Sequence, residues 1–238
     1  IEEIYFVDDS REGWVAAVKN ILDAAMGKCK VPIFDYSKVR PKGAPIKGFG
    51  GIASGPRPLE DLIKSLLELL QVDKPTPITS THIVDIFNYI GKCVVSGGVR
   101  RTAEIMFGDI DDTQFIDLKL DKEALYDRRW ASNNSIFATA GMDYEPFIER
   151  IATNGEPGFI WLDHMKQYGR MSEPANNKDR RAMGSNPCSE QTLEDHELCC
   201  LVETFPAHHD SFEDYQRTLK FAYPVSYTHL RAHETHEN

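Results

Sequence analysis

Asn186-Pro187-Cys188-Ser189-Glu190 sets a thiol, a carboxylate and an amide within five residues, and Cys199-Cys200 follows eleven positions after Cys188. Pro187 lacks a backbone donor and biases Asn186 away from helix, so the stretch reads as a bent loop. Side chains two apart share a side of an extended chain, which would turn Cys188 and Glu190 the same way. A carboxylate next to a thiol disfavours the thiolate. That argues against simple nucleophilic catalysis and fits a thiol acting through its S–H bond, with the second thiol within reach for redox work. The plain alternative from spacing is a buried structural cysteine and a surface glutamate. Adjacent Cys199-Cys200 lacks the C-x2-C spacing of a zinc knuckle, and C-x-x-C of the thioredoxin kind is absent. His196 leaves any ligand set incomplete, so no metal is expected. Cys29 and Cys93 read as small buried hydrophobes.

Two other loops hold chemistry-bearing residues. Gly48-Phe49-Gly50-Gly51-Ile52-Ala53 fits a dinucleotide fingerprint in form, but Arg40-Pro41-Lys42-Gly43-Ala44-Pro45 before it is no buried strand, so a Rossmann site is rejected. With Arg40, Lys42 and Lys47 nearby, its backbone amides could still approach a phosphate; a plain surface loop is the alternative. Ser96-Gly97-Gly98-Val99-Arg100-Arg101 joins flexible positions to two guanidinium groups that can hold a phosphate or a base. A hairpin with solvated arginines is equally consistent with that composition.

The elements that must position these loops alternate. Residues 12 to 28 place Trp14, Val15, Val18, Ile21, Leu22 and Ala25 on one helical face after Asp9-Ser10 as cap. Residues 31 to 58, rich in Pro and Gly, read as a long loop, and such loops tend to be functional. Helices are expected at 59 to 71 and 79 to 90, strands at 93 to 95 and 103 to 107, then a helix at 112 to 119 and a strand at 135 to 138. A helix at 143 to 153, a strand at 158 to 160 and a last helix at 211 to 223 follow. The pattern is α/β, with a barrel as one arrangement.

The chain has 238 residues, 41% hydrophobic and 27% charged, enough for one large or two small domains. Five cysteines, an odd count, without a secretory signal imply a reduced, cytoplasmic protein. No apolar run approaches the roughly 20 residues of a membrane helix. A net charge of -10 opposes a nucleic-acid partner, whose phosphates demand cations. The run VSYTHLRAHET, 225 to 235, resembles a translated library adapter and is set apart, with the rest of 224 to 238, as a non-native tail. On that reading His229, His233 and His236 have no role; the alternative is a His-rich metal-binding tail.

Seven segments, in order, resemble the class II ribonucleotide reductases, specifically the adenosylcobalamin-dependent ribonucleoside-triphosphate type. They are DDSREGW (8 to 14), DYSKVRPKGAPIKGFGGIASGP (35 to 56), CVVSGGVRRTAEI (93 to 105), SNNSI (132 to 136), GEPGFIWLD (155 to 163), NPCSE (186 to 190) and ELCCLVETFP (197 to 206). The resemblance implies part of a ten-stranded α/β barrel with a radical-cysteine finger loop. It divides the chain into an effector-binding region with the first barrel elements (1 to 95) and a catalytic barrel segment (96 to 223). It implies that Cys188 becomes a thiyl radical, that Glu190 is the base at the ribose 3′-hydroxyl, and that Asn186 binds substrate. Cys199 is implied to be one of two reducing thiols, its partner lying upstream of residue 1; Cys200 has no assigned role.

Ser96, Gly97, Gly98, Arg100 and Arg101 match the loop that relays a deoxynucleotide effector to base choice, with Asp9 a weaker effector candidate. A ribonucleoside triphosphate substrate and a thioredoxin-like reductant complete the implied partners, and the cobalamin-contacting segments are expected beyond residue 223. Ser189 departs from the pattern, which more often has Gly or Ala there. Two other classes compete: a nucleotide-sensing module that has lost catalysis, for which intact Asn186, Cys188, Glu190 and Cys199 would be superfluous, and a dithiol redox protein.

Overall fold

The computed structural model describes residues 3–47, 50–72, 74, 77–96, 98, 102–169, 174–199 and 202–234, with the backbone alone for 225–234. It divides into two compact units, Ile1–Trp161 and Leu162–Asn238.

The first unit opens with β1 (Ile4–Phe6), α1 (Arg11–Ala25) and β2 (Ile33–Asp35), and the two strands pair in parallel. Ser10 caps α1, its hydroxyl accepting the Gly13 N–H at 3.0 Å. The buried stripe of α1 is Gly13, Ala17, Ile21 and Ala24, one step round from the expected face. Trp14, Val18, Leu22 and Ala25 pack at its margin, while Val15 is 63% exposed. Small residues at 13, 17 and 24 let the helix approach its neighbours closely, which hydropathy alone does not signal.

The expected long loop also differs. It contains β2, and residues 43 to 46 pair back on 50 to 53, the amides of Gly43, Ile46, Gly50 and Ala53 bonding between or within these two arms. Those amides are therefore spent on the chain itself and are not offered to a phosphate. Gly48 and Phe49 lie outside the described residues.

Helix α2 (Arg57–Leu70) buries Leu59, Leu62, Ile63, Leu66 and Leu70, a 3.6-residue pattern that fills the first core with Val7, Ile21 and Val39. Helix α3 (Ser80–Val95) starts from a capping box between Thr79 and His82. It runs through Cys93-Val94-Val95, which the sequence suggested as a strand; three β-branched or sulfur residues are too short a signal to end a helix already under way. Its Ile86 enters the first core and its Val84 a second one, with Phe115, Ile116, Leu118, Ile136 and Phe147.

The second core lies against a parallel three-stranded sheet of β3 (Glu104–Gly108), β4 (Ser132–Phe137) and β5 (Gly158–Ile160), in sequence order. The connection from β3 to β4 carries α4 (Thr113–Ile116), a 3-10 turn at Leu118–Leu120 and α5 (Lys122–Asp127), so the single helix expected over 112 to 119 is broken. Asp117 caps the break, and the Arg150 guanidinium from α6 (Ile148–Asn154), the crossover to β5, pairs with its carboxylate. Gly108 is obligatory: a Cβ there would lie 2.3 Å from the Phe115 ring.

The second unit holds α7 (Leu162–Tyr168), the antiparallel pair β6 (Gly184–Ser185) and β7 (Thr192–Leu193), and α8 (Phe212–Glu234). Helix α8 continues past Pro224, eleven residues beyond the end expected at 223. Among the described residues no helix is long and apolar enough to cross a membrane. The architecture is mixed α/β, as the alternation of elements suggested.

Candidate active site

The hairpin β6–β7 carries Cys188 at its turn. Gly184 stands opposite Leu193 and Ser185 opposite Thr192. Beyond that pair, the Asn186 N–H donates to the Gln191 carbonyl at 3.2 Å, while the Asn186 carbonyl accepts the Ser189 N–H at 2.9 Å. This closes a β-turn with Pro187 in its second position, where a fixed φ is favourable. The turn consumes the carbonyl that would otherwise have answered Gln191 across the hairpin. The Asn186 side chain takes over, its Oδ1 accepting the Gln191 N–H at 3.0 Å. Asn186 is only 7% exposed, so it holds the loop from within; Nδ2 is the part of the amide not committed to Gln191.

Cys188 and Glu190 are exposed beside this scaffold. They do not share a side by strand alternation, as the sequence suggested. Ser189 between them has φ +62°, in the left-handed region, so the segment is not extended. The Ser189 hydroxyl lies 3.1 Å from that of Ser185, which is 8% exposed. At the hairpin base Thr192 Oγ1 donates to Asp179 Oδ2 at 2.6 Å, and Arg181 grips Glu194 with Nε and Nη2 at 2.8 and 2.9 Å. Cys199 is half-buried after the hairpin; Cys200 lies outside the described residues.

In the first unit, Asp9 pairs with Arg40 at 2.6 Å. Both border an apolar groove of about 610 Å³ walled by Val15, Val18, Leu22, Ile52 and Val94. Ser96 ends α3 next to this wall, its hydroxyl donating to the Cys93 carbonyl at 2.7 Å, and Gly98 has φ +66°. Gly97, Arg100 and Arg101 lie outside the described residues. Burial pushes the Cys93 thiol up to about 11, as befits a packed hydrophobe, whereas Cys29 is exposed, contrary to expectation, with its thiol 3.7 Å from the Asn20 carbonyl. Glu104, six residues beyond Gly98, is pushed up to about 7 by burial, and among the described residues its Oε2 has no hydrogen-bond partner. No cluster of three or more metal-type ligands occurs among the described residues.

Comparison with known proteins meets this geometry. Residues 2–70 match the family model described as the insertion domain of B12-dependent ribonucleotide reductase. A protein of Dictyostelium discoideum named probable adenosylcobalamin-dependent ribonucleoside-triphosphate reductase is 55% identical over 92% of this chain. A Euglena gracilis protein named adenosylcobalamin-dependent ribonucleoside-triphosphate reductase is 48% identical over 98%. A crystal structure of a B12-dependent (class II) ribonucleotide reductase superposes with a TM-score of 0.74 at 40% identity over 87% of this chain. The chain belongs to the B12-dependent ribonucleotide reductases. It spans 29% of the length of the Dictyostelium relative and of the solved structure, and 33% of the Euglena relative.

Within this chain Asn186, Cys188 and Glu190 come together on one hairpin, and Ser96 and Asp9 belong to the other unit. The sequence reading missed three supports of the site: Ser185, Asp179 and Thr192. Each is a short polar residue whose partner is fixed only once the hairpin register exists.

Proposed function

We propose that this chain is the radical-cysteine portion of an enzyme that reduces ribonucleoside triphosphates to 2′-deoxyribonucleoside triphosphates for DNA synthesis. The observation that carries the reading is the hairpin tip, where an exposed Cys188 thiol sits within a turn locked by Asn186 and an exposed Glu190 carboxylate follows it. The exposed thiol suits a radical generator that reaches it from outside this chain. Adenosylcobalamin, when bound, supplies the hydrogen-atom acceptor that converts the Cys188 thiol to a thiyl radical; its contacts are assigned to no residue here.

Cys188 then takes the 3′ hydrogen of the ribose. Glu190 accepts the proton of the 3′-hydroxyl, for which it must come within about 2.6–3.2 Å of that oxygen. The 2′-hydroxyl departs as water. Cys199 and a second thiol deliver two electrons and two protons and end as a disulfide, and Cys188 returns the hydrogen to C3′. The sum is nucleotide plus dithiol giving deoxynucleotide, disulfide and water. Asn186 Nδ2 orients the substrate, and a thioredoxin-like protein restores the dithiol.

In this reading residues 1 to 95 serve a deoxynucleotide effector, with Asp9 and the segment Ser96, Gly97, Gly98, Arg100 and Arg101 relaying its identity. Support comes from the groove, which joins Asp9 to Val94, two residues before Ser96. Residues 96 to 223 contribute part of a ten-stranded barrel whose finger loop is the β6–β7 hairpin.

The test is ribonucleoside-triphosphate reduction by the full-length protein, with and without adenosylcobalamin, comparing wild type with Cys188→Ser. Product that requires the cofactor and vanishes in the variant is expected. Cofactor-independent turnover, or a folded enzyme without turnover, would overturn the assignment.

A further inference from the structure

We propose that Ser185 and Ser189 form a hydroxyl pair that aims Cys188, making both of them positioning residues for the radical hairpin; this rests on the reading of Cys188 above. Ser189 occupies φ +62°, a backbone state in which an L side chain is strained and glycine is the usual solution. The residue is exposed, so packing does not hold it there. What does face it is the Ser185 hydroxyl at 3.1 Å, and Ser185 is buried.

Ser185 is itself well anchored. It sits on β6 opposite Thr192, whose hydroxyl donates to Asp179 at 2.6 Å. Asp179 Oδ2 in turn presses on the end of α7, where a Cβ at Gly169 would come within 2.1 Å of it. The hydroxyl pair thus connects the hairpin apex to a closely packed base. Cys188 lies between Pro187, whose ring fixes φ, and Ser189, whose backbone state the pair maintains. With both neighbours set, the Cα–Cβ direction of Cys188, and so the arc open to its thiol, is set as well. A glycine at 189 would need no such hold; serine does, and the Ser185 hydroxyl provides it.

The test uses full-length enzyme carrying Ser185→Ala, Ser189→Gly or both. Ser185→Ala alone is expected to lower kcat about tenfold with KM for the nucleotide unchanged, the cost of misplacing a reacting atom by a fraction of an ångström. In the Ser189→Gly background the same Ser185→Ala change is expected to lose most of that effect, and Ser185→Thr, which keeps the hydroxyl, to retain wild-type kcat. Equal losses in both backgrounds would make Ser185 merely structural, and no loss in either would make the pair irrelevant; each overturns the proposal.

The same proteins are compared by the rate at which iodoacetamide alkylates the Cys188 peptide, read by mass spectrometry, which needs no turnover. A rate altered by Ser185→Ala only where Ser189 is present supports the pair, and a rate altered equally in both backgrounds, or in neither, rejects it. Absence of nucleotide reduction by the wild type would sink the functional reading alone, since the alkylation pattern still decides this one.

Discussion

Asp85 of α3 and Arg129, just ahead of β4, form a buried two-point ion pair: Nε and Nη2 of Arg129 reach the two carboxylate oxygens at 2.7 and 2.9 Å, and Asp85 is 1% exposed. Arg128 adds a third bond at 2.8 Å, and Arg129 Nη1 donates to the Leu118 carbonyl at 2.5 Å. Burial alone would push the Asp85 carboxyl up, but the hydrogen bonds from Arg129 and Arg128 outweigh it and leave it below the usual carboxylate range.

Removing one side of such a pair leaves the other buried and unanswered. Asp85→Asn is therefore expected to destabilise the first unit by about 3–5 kcal/mol, read as a lower denaturation midpoint in urea. A change within 1 kcal/mol, roughly the value of an exposed ion pair, would mean that water reaches the cluster.

On the proposed reading Asn186 both holds its loop and meets the substrate, and two substitutions divide these jobs. Asn186→Asp keeps an oxygen for the Gln191 N–H and removes the Nδ2 donor; Asn186→Ala removes both. The Gln191 amide should exchange with deuterium at the wild-type rate in the Asp variant and about fivefold faster in the Ala variant, the loss of about 1 kcal/mol of hydrogen bond. Both variants should reduce nucleotides poorly. If the Ala variant protects Gln191 as well as wild type does, the side-chain bond is not what holds the loop.

Glu104 predicts a pH dependence of stability. Its carboxyl is pushed up to about 7 in the folded chain, so the neutral form is favoured there relative to the unfolded chain. The stability tied to this group is fully present below its ordinary value of 4.5 and is lost as pH rises through about 7. Glu104→Gln, which stays neutral, should match wild type near the lower value and melt about 2–4 °C higher by about pH 8. Parallel melting curves for the two proteins across this range would show that Glu104 is solvated or paired.

The sequence was informative where a periodic or chemical signal was long. The leucine stripe of α2 and the residue types on the Cys188 hairpin could be read directly, as could the alternation behind the parallel sheet. Boundaries failed where a short run had to compete with an element already formed: Cys93-Val94-Val95 has strand-forming residues, but it extends α3. The expectation that Cys188 and Glu190 share a side failed for a different reason. It assumed an extended backbone, and Ser189 adopts a conformation that no side-chain pattern announces. Supports such as Thr192 with Asp179 are tertiary pairings across 13 residues, and spacing carries no record of them.

Helix α3 sends Ile86 into one core and Val84 into the other, and Asp85 between them is bolted to Arg129. A helix clamped on three sides behaves as a fixed beam. Rolling or sliding it would open both cores and strip a buried charge at once. A movement of the chain beyond Val95 would therefore have to turn at the end of that beam, at Ser96, and spare the shaft.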